Sequence, residues 1–200
     1  MRDHLMIGLT GPTGAGKSTV SGFFGEYGFK IVNADKIARE IMEPNGVCVR
    51  QLVYAFGKSI LAPDGSLNRR ALAMKAFSSR ENTQTLNDIT HPQIFLRTLK
   101  LCREYIDRGE RKIIFDAPVL FESNSDLMCD AVVSVTAPKE VRISRLMQRD
   151  RLPREEIERR ISAQKDNAFY ESRSDFTIDG SQDIAQVRSQ VQSIINKLGR

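Results

Sequence analysis

Gly11-Pro12-Thr13-Gly14-Ala15-Gly16-Lys17-Ser18-Thr19 follows an apolar strand pattern, Leu5-Met6-Ile7-Gly8-Leu9. A helical pattern runs on from Lys17 to about Tyr27, with Val20, Phe23 and Phe24 on one face. The quoted stretch fits G-x-x-x-x-G-K-[ST], and its place between a strand and a helix is what a phosphate-binding loop requires. Glycines let the backbone curl so that successive N–H groups point inward at phosphate oxygens. The helix adds its positive N-terminal end. On this reading Gly14, Ala15, Gly16, Lys17, Ser18 and Thr19 hold ATP. Lys17 reaches the β- and γ-phosphates, and the Ser18 hydroxyl ligates Mg²⁺.

The rest of the chain repeats the strand–helix alternation. Further strand patterns are Phe29–Val32, Lys112–Phe115 ending at Asp116, Ala131–Val135, and Phe176–Asp179. Short apolar runs of this kind suit strands buried on both faces. The expected fold class is α/β: a doubly wound five-stranded parallel sheet of the P-loop NTPase type. The last helix shows Ile184, Val187, Val191, Ile194, Ile195 and Leu198 at helical spacing and is expected to cover one face of the sheet.

Two segments interrupt the alternation. Residues 47–109 are far longer than one crossover helix and carry several helical runs, among them Arg69–Phe77 and Arg80–Ile89. A further helix is expected after His91, with Pro92 as its first helical residue. Residues 145–173 are rich in both charges and read either as a solvated helix pair or as a mobile lid. The expected organisation is therefore a nucleotide-binding core of residues 1–46, 110–144 and 174–200, a helical acceptor-binding insertion over 47–109, and a lid over 145–173.

Two hundred residues suit one such domain with small insertions. The net charge is +5, but the basic residues are scattered without an interleaved aromatic platform. That favours small polyanionic substrates over a nucleic-acid partner. No apolar run reaches the roughly 18 residues of a membrane helix, and no signal-peptide core is visible. The three cysteines, Cys48, Cys102 and Cys129, show no metal or disulfide spacing. A cytoplasmic protein without a membrane partner is expected; the oligomeric state is left open.

Residues just past the strand ends share the edge of the sheet with the phosphate loop. Asp116 closes an apolar run and reads either as a Mg²⁺ ligand or as a turn aspartate. Asp35 reads equally as a general base for an acceptor hydroxyl or as the N-cap of a helix starting near Lys36. Arg145 and Arg149 share one helix face. They read as phosphoryl-stabilising arginines or as ordinary surface charges. His91 is a candidate only by its position in the insertion.

The ordered series of motifs resembles bacterial dephospho-coenzyme A kinases over nearly the whole chain. The matching pieces are Gly8-Leu9-Thr10-Gly11, Ala34-Asp35-Lys36-Ile37-Ala38-Arg39, and Asp64-Gly65-Ser66-Leu67-Asn68-Arg69-Arg70-Ala71-Leu72. They continue with His91-Pro92-Gln93-Ile94, Asp116-Ala117-Pro118-Val119-Leu120-Phe121-Glu122, Arg145 and Arg149, Ala163-Gln164, and Asp175-x-x-Ile178-Asp179. The resemblance implies transfer of the ATP γ-phosphate to the ribose 3′-hydroxyl of dephospho-coenzyme A. It implies Asp35 as base, Lys17 on the phosphates, Arg145 as lid arginine with Arg149 beside it, and Thr10 and His91 near the acceptor. Departures from the family pattern are Asn33, Val119 and Gly180. The rival readings are another small-molecule kinase, such as a nucleoside monophosphate kinase, or a non-catalytic nucleotide- or RNA-binding module.

Overall fold

The computed structural model describes residues 4–44 and 46–199; residues 1–3, 45 and 200, which fall within the expected core ranges, lie outside the described residues. The chain divides into two compact units, the first of residues 1–32 and 105–200, the second of residues 33–104.

The first unit is built on five parallel strands: β1 (Leu5–Thr10), β2 (Lys30–Asn33), β3 (Lys112–Asp116), β4 (Ala131–Thr136) and β5 (Phe176–Asp179). Their order is β2-β3-β1-β4-β5, so the chain crosses over rather than meandering. β1 is central, pairing with β3 from Leu5↔Lys112 to Leu9↔Asp116 and with β4 from Ile7↔Ala131 to Thr10↔Ser134. Every residue of β4, and all of β1 except Leu5, is buried. Burial on both faces is why these strands read as continuous apolar runs. Asp175 ties the edge strand in, its carboxylate accepting from Val132 N at 2.7 Å.

Helices α1 (Lys17–Glu26) and α9 (Ile184–Leu198) are both held on the core that the sheet supplies. Val20, Phe23 and Phe24 of α1 and Val187, Val191 and Ile194 of α9 join Ile7, Leu9, Ile114, Val133 and Ile178 in one cluster. Phe24 meets Phe29 edge to face at 5.2 Å. α9 starts at a reciprocal capping box, Asp183 accepting from the Gln186 N–H while the Gln186 side chain accepts from the Asp183 N–H. Ile184 does not join the apolar face as its spacing suggested: it is 62% exposed. It stands at the first helical position, before the helix has settled onto the core.

α6 (Lys139–Asp150), α7 (Arg154–Ser162) and α8 (Asn167–Glu171) complete the first unit. Arg151, left-handed at φ 54, ends α6. Ile143 and Leu146 of α6 then pack on Ile157 and Ile161 of α7. The expected lid boundary at residue 145 falls in the middle of α6.

The second unit holds α2 (Ala34–Glu40), α3 (Val47–Phe56), α4 (Arg69–Ala76) and most of α5 (Arg80–Asp107). The helix expected to restart at Pro92 does not restart: α5 is continuous through it. Proline lacks the N–H that would bond the carbonyl four residues back. Around it, the Thr85 and Thr90 hydroxyls donate to the Glu81 and Leu86 carbonyls and keep to the helix. Arg97 bonds Glu40 at 2.8 Å, joining α5 to α2.

Phe24 is fully buried, so Phe24→Ala is expected to cost about 3–5 kcal/mol in urea denaturation. Ile184→Ala is expected to shift stability by no more than about 0.5 kcal/mol, as for an exposed site. Equal losses would contradict this core assignment.

Candidate active site

The loop between β1 and α1 turns on glycine. Gly11 has φ 141, and a Cβ there would lie 2.2 Å from the Val135 carbonyl oxygen. Gly16, at φ 104, is the N-cap of α1, and no side chain caps that helix. The Lys17 and Ser18 N–H groups are therefore left for a ligand or solvent, while the Thr19 N–H turns back to the Gly16 carbonyl at 3.0 Å. Ser18 and Thr19 are exposed in that first turn, and Ala15 is buried beneath it.

Lys17 is ion-paired with Asp116, which ends β3. The carboxylate is only 5% exposed and the lysine 17%. A buried carboxylate needs such a partner, because removing one member leaves an uncompensated charge. Thr10, at the end of β1, is fully buried and donates its hydroxyl to the Pro118 carbonyl at 3.3 Å. It fixes the loop after β3 to the start of the phosphate loop.

Arg145 reaches the loop from α6. Its guanidinium donates to the Gly14 and Ala15 carbonyls at 3.4 and 3.3 Å and to the Gly180 carbonyl at 2.8 Å. Arg149 does not reach the loop: it forks onto its neighbour Asp150 at 2.7 and 3.1 Å and is 63% exposed. The spacing reading missed Arg142, which is 4% exposed and donates to the Thr13 carbonyl at 2.8 Å. Its signal was present in the sequence as the i, i+3 relation to Arg145 on one helix face. Gln164, in the turn after α7, accepts from the Thr13 N–H at 3.2 Å and from Arg142 at 3.0 Å.

The loop after β5 closes on the same carbonyls. Asp179 accepts from Ser181 N and Oγ and from Gln182, and these bonds hold its carboxyl below the ordinary value, Gln182 and Ser181 outweighing burial. The turn brings Gly180 so near that a Cβ would stand 2.0 Å from the Ala15 carbonyl oxygen.

Asp35 and His91 belong to the second unit. Asp35 is exposed in the first turn of α2, directly after β2. It is not the cap of that helix. Asn33 is, its side-chain oxygen accepting from the Lys36 N–H at 2.9 Å. The capping reading of Asp35 therefore falls. His91 lies inside α5; burial lowers its pKa and the Asp88 carboxylate pulls it partly back.

Among the described residues no group of three or more His, Cys, Asp or Glu side chains could hold a metal ion. No helix among them is long and apolar enough to cross a membrane.

A family model described as dephospho-CoA kinase matches residues 5–186. A curated dephospho-CoA kinase of Corynebacterium jeikeium is 43% identical over 187 residues, covering 94% of this chain and 96% of the relative. One of Corynebacterium efficiens is 39% identical over 194 residues, 97% of each chain. The solved structure of a dephospho-CoA kinase from Campylobacter jejuni superposes with a TM-score of 0.62 at 26% identity, covering 98% of this chain and 97% of that one.

Gly180→Ala is expected to destabilise the protein by about 1–3 kcal/mol, as overpacking does. Chemical denaturation checks this; wild-type stability would mean that the loop after β5 yields freely.

Proposed function

This chain belongs to the dephospho-CoA kinase family, and from that membership we propose how its residues divide the reaction between them. The reaction is the ATP-dependent phosphorylation of dephospho-coenzyme A in coenzyme A biosynthesis. In the finer reading, the γ-phosphoryl group goes to the ribose 3′-hydroxyl, giving coenzyme A and ADP. The observation that carries this reading is the uncapped start of α1, with Lys17 and Asp116 paired beside it, in a chain that matches the family over residues 5–186.

The N–H groups of Gly14, Gly16, Lys17 and Ser18 bind the triphosphate, those of Ala15 and Thr19 being donated to the Pro12 and Gly16 carbonyls at 3.3 and 3.0 Å. Lys17, on parting from Asp116, follows the charge that develops on the β- and γ-oxygens. Asp35 accepts the proton of the attacking hydroxyl, a role supported by its exposure and by Asn33 carrying the cap. His91, whose charged form burial disfavours, and Thr10, through the Pro118 carbonyl, act on the acceptor side. Arg145 and Arg149 stabilise the phosphoryl group in transit, Arg149 after leaving Asp150.

Mg²⁺ would be held by Ser18 and Asp116. A hydroxyl and one buried carboxylate are hard oxygen donors, and magnesium commonly takes its other ligands from phosphate and water. When bound, the ion would neutralise charge on the phosphate oxygens. We place the protein in the cytoplasm, acting on small molecules and not on nucleic acid.

The test is ADP release across acceptors. Dephospho-coenzyme A is expected to raise the rate, and nucleoside monophosphates are not. No response to dephospho-coenzyme A would sink the reading. Asp35→Asn is expected to lower kcat by about 10²-fold or more with the KM for ATP nearly unchanged. Near-normal turnover in that variant would remove Asp35 from the chemistry. Lys17→Ala is expected to weaken both ATP binding and turnover; retention of both would contradict the phosphate-loop assignment.

A further inference from the structure

Thr13 is held on both sides of its main chain. Its carbonyl accepts from Arg142 Nε at 2.8 Å and its N–H donates to Gln164 Oε1 at 3.2 Å. Arg142 Nη2 closes the triangle onto the same Gln164 oxygen at 3.0 Å. A trans peptide points its C=O and the following N–H in opposite directions. With the Thr13 carbonyl fixed against α6, the Gly14 N–H faces away from that helix. Arg145 does the same for the Gly16 N–H by holding the Ala15 carbonyl.

Arg142 is a strange residue to bury for this purpose alone. Among the described residues it has no carboxylate partner; its printed acceptors are a peptide carbonyl and an amide oxygen. Burial lowers its pKa, with the Tyr170 phenol acting the other way. Tyr170 itself is pushed up to about 12, by burial first and by Glu122 second. A guanidinium stays protonated there, and an unpaired buried charge is costly. The cost is offset where a polyanion docks against the loop that the charge supports.

We propose that Arg142 and Gln164 form a latch that positions the phosphate cradle and makes its shape depend on the turn between α7 and α8. Arg142 is a positioning residue acting through Thr13. Gln164 is exposed and stands in that turn. Displacing the turn therefore takes away both the partner of the Thr13 N–H and one acceptor of Arg142. The cradle is set when the turn is seated and loosened when it lifts. This inference rests on the ATP reading above.

The test is ADP and adenosine binding to the full chain, with Arg142→Met, Gln164→Leu and the double variant compared with wild type. Arg142→Met is expected to weaken ADP about tenfold, the scale of one hydrogen bond to a charged group, and to leave adenosine within about twofold. Gln164→Leu is expected to weaken ADP less. The double variant is expected to lose less than the product of the two single losses, because both act on Thr13. If Arg142→Met does not fold, Gln164→Leu at its exposed position carries the same ADP-against-adenosine contrast. Wild-type ADP affinity in the folded variants, equal losses for ADP and adenosine, or strictly multiplicative losses would each overturn the latch. A wild-type chain that binds no ADP would overturn the ATP reading itself, and the latch with it.

Discussion

A loop that must offer its N–H groups to an anion has to hide its carbonyls somewhere. That constraint organises the first unit of this protein. The carbonyls of Thr13, Gly14 and Ala15 are all taken up by guanidinium groups from α6. For these to arrive, α6 must run close under the loop, and it does: a Cβ on Gly14 would lie 3.0 Å from the Arg142 carbonyl oxygen. For α6 to stay there, Ile143 and Leu146 must bury against α7. The helical hairpin that looks like an appendage in the sequence is thus part of what shapes the loop.

Much of this could be read before the structure. The sheet was legible because its strands are buried on both faces, which writes them as short apolar runs. The loop was legible because its glycines are needed for backbone geometry rather than for packing. Three features were harder. Arg142 was hidden among arginines of the same helix, since residue type does not say which charge is buried. Pro92 looked like a helix start, because proline is favoured there and usually disfavoured inside. Asp35 read equally as a general base or as a helix cap, because aspartate suits both tasks. The hydrogen bond from Lys36 N to Asn33 made the choice.

Electrostatics in the first unit works by pairing where a carboxylate is buried and by dipoles where it is not. Asp116 has Lys17. Asp179 has hydroxyl, amide and main-chain donors instead, with Arg145 adding a smaller attraction. Among the described residues Arg142 has no carboxylate partner, only the Thr13 carbonyl and the Gln164 amide oxygen. The net +5 of the chain carries little information by comparison. Which charges are buried, and against what, carries more.

The division of the chain has a consequence for descent. Residues 33–104 form a unit that the chain enters once and leaves once, at 32/33 and 104/105. Such a segment can be exchanged as a cassette that touches the sheet only at Asn33, the last residue of β2. Asp35 and His91 lie inside it, whereas Lys17, Asp116 and Arg145 lie outside. The group proposed to activate the acceptor is therefore inherited with residues 33–104, and the groups proposed to hold the donor are inherited apart from it. A lineage exchanging that cassette would bring in a new residue at the proposed base position while keeping Lys17, Asp116 and Arg145.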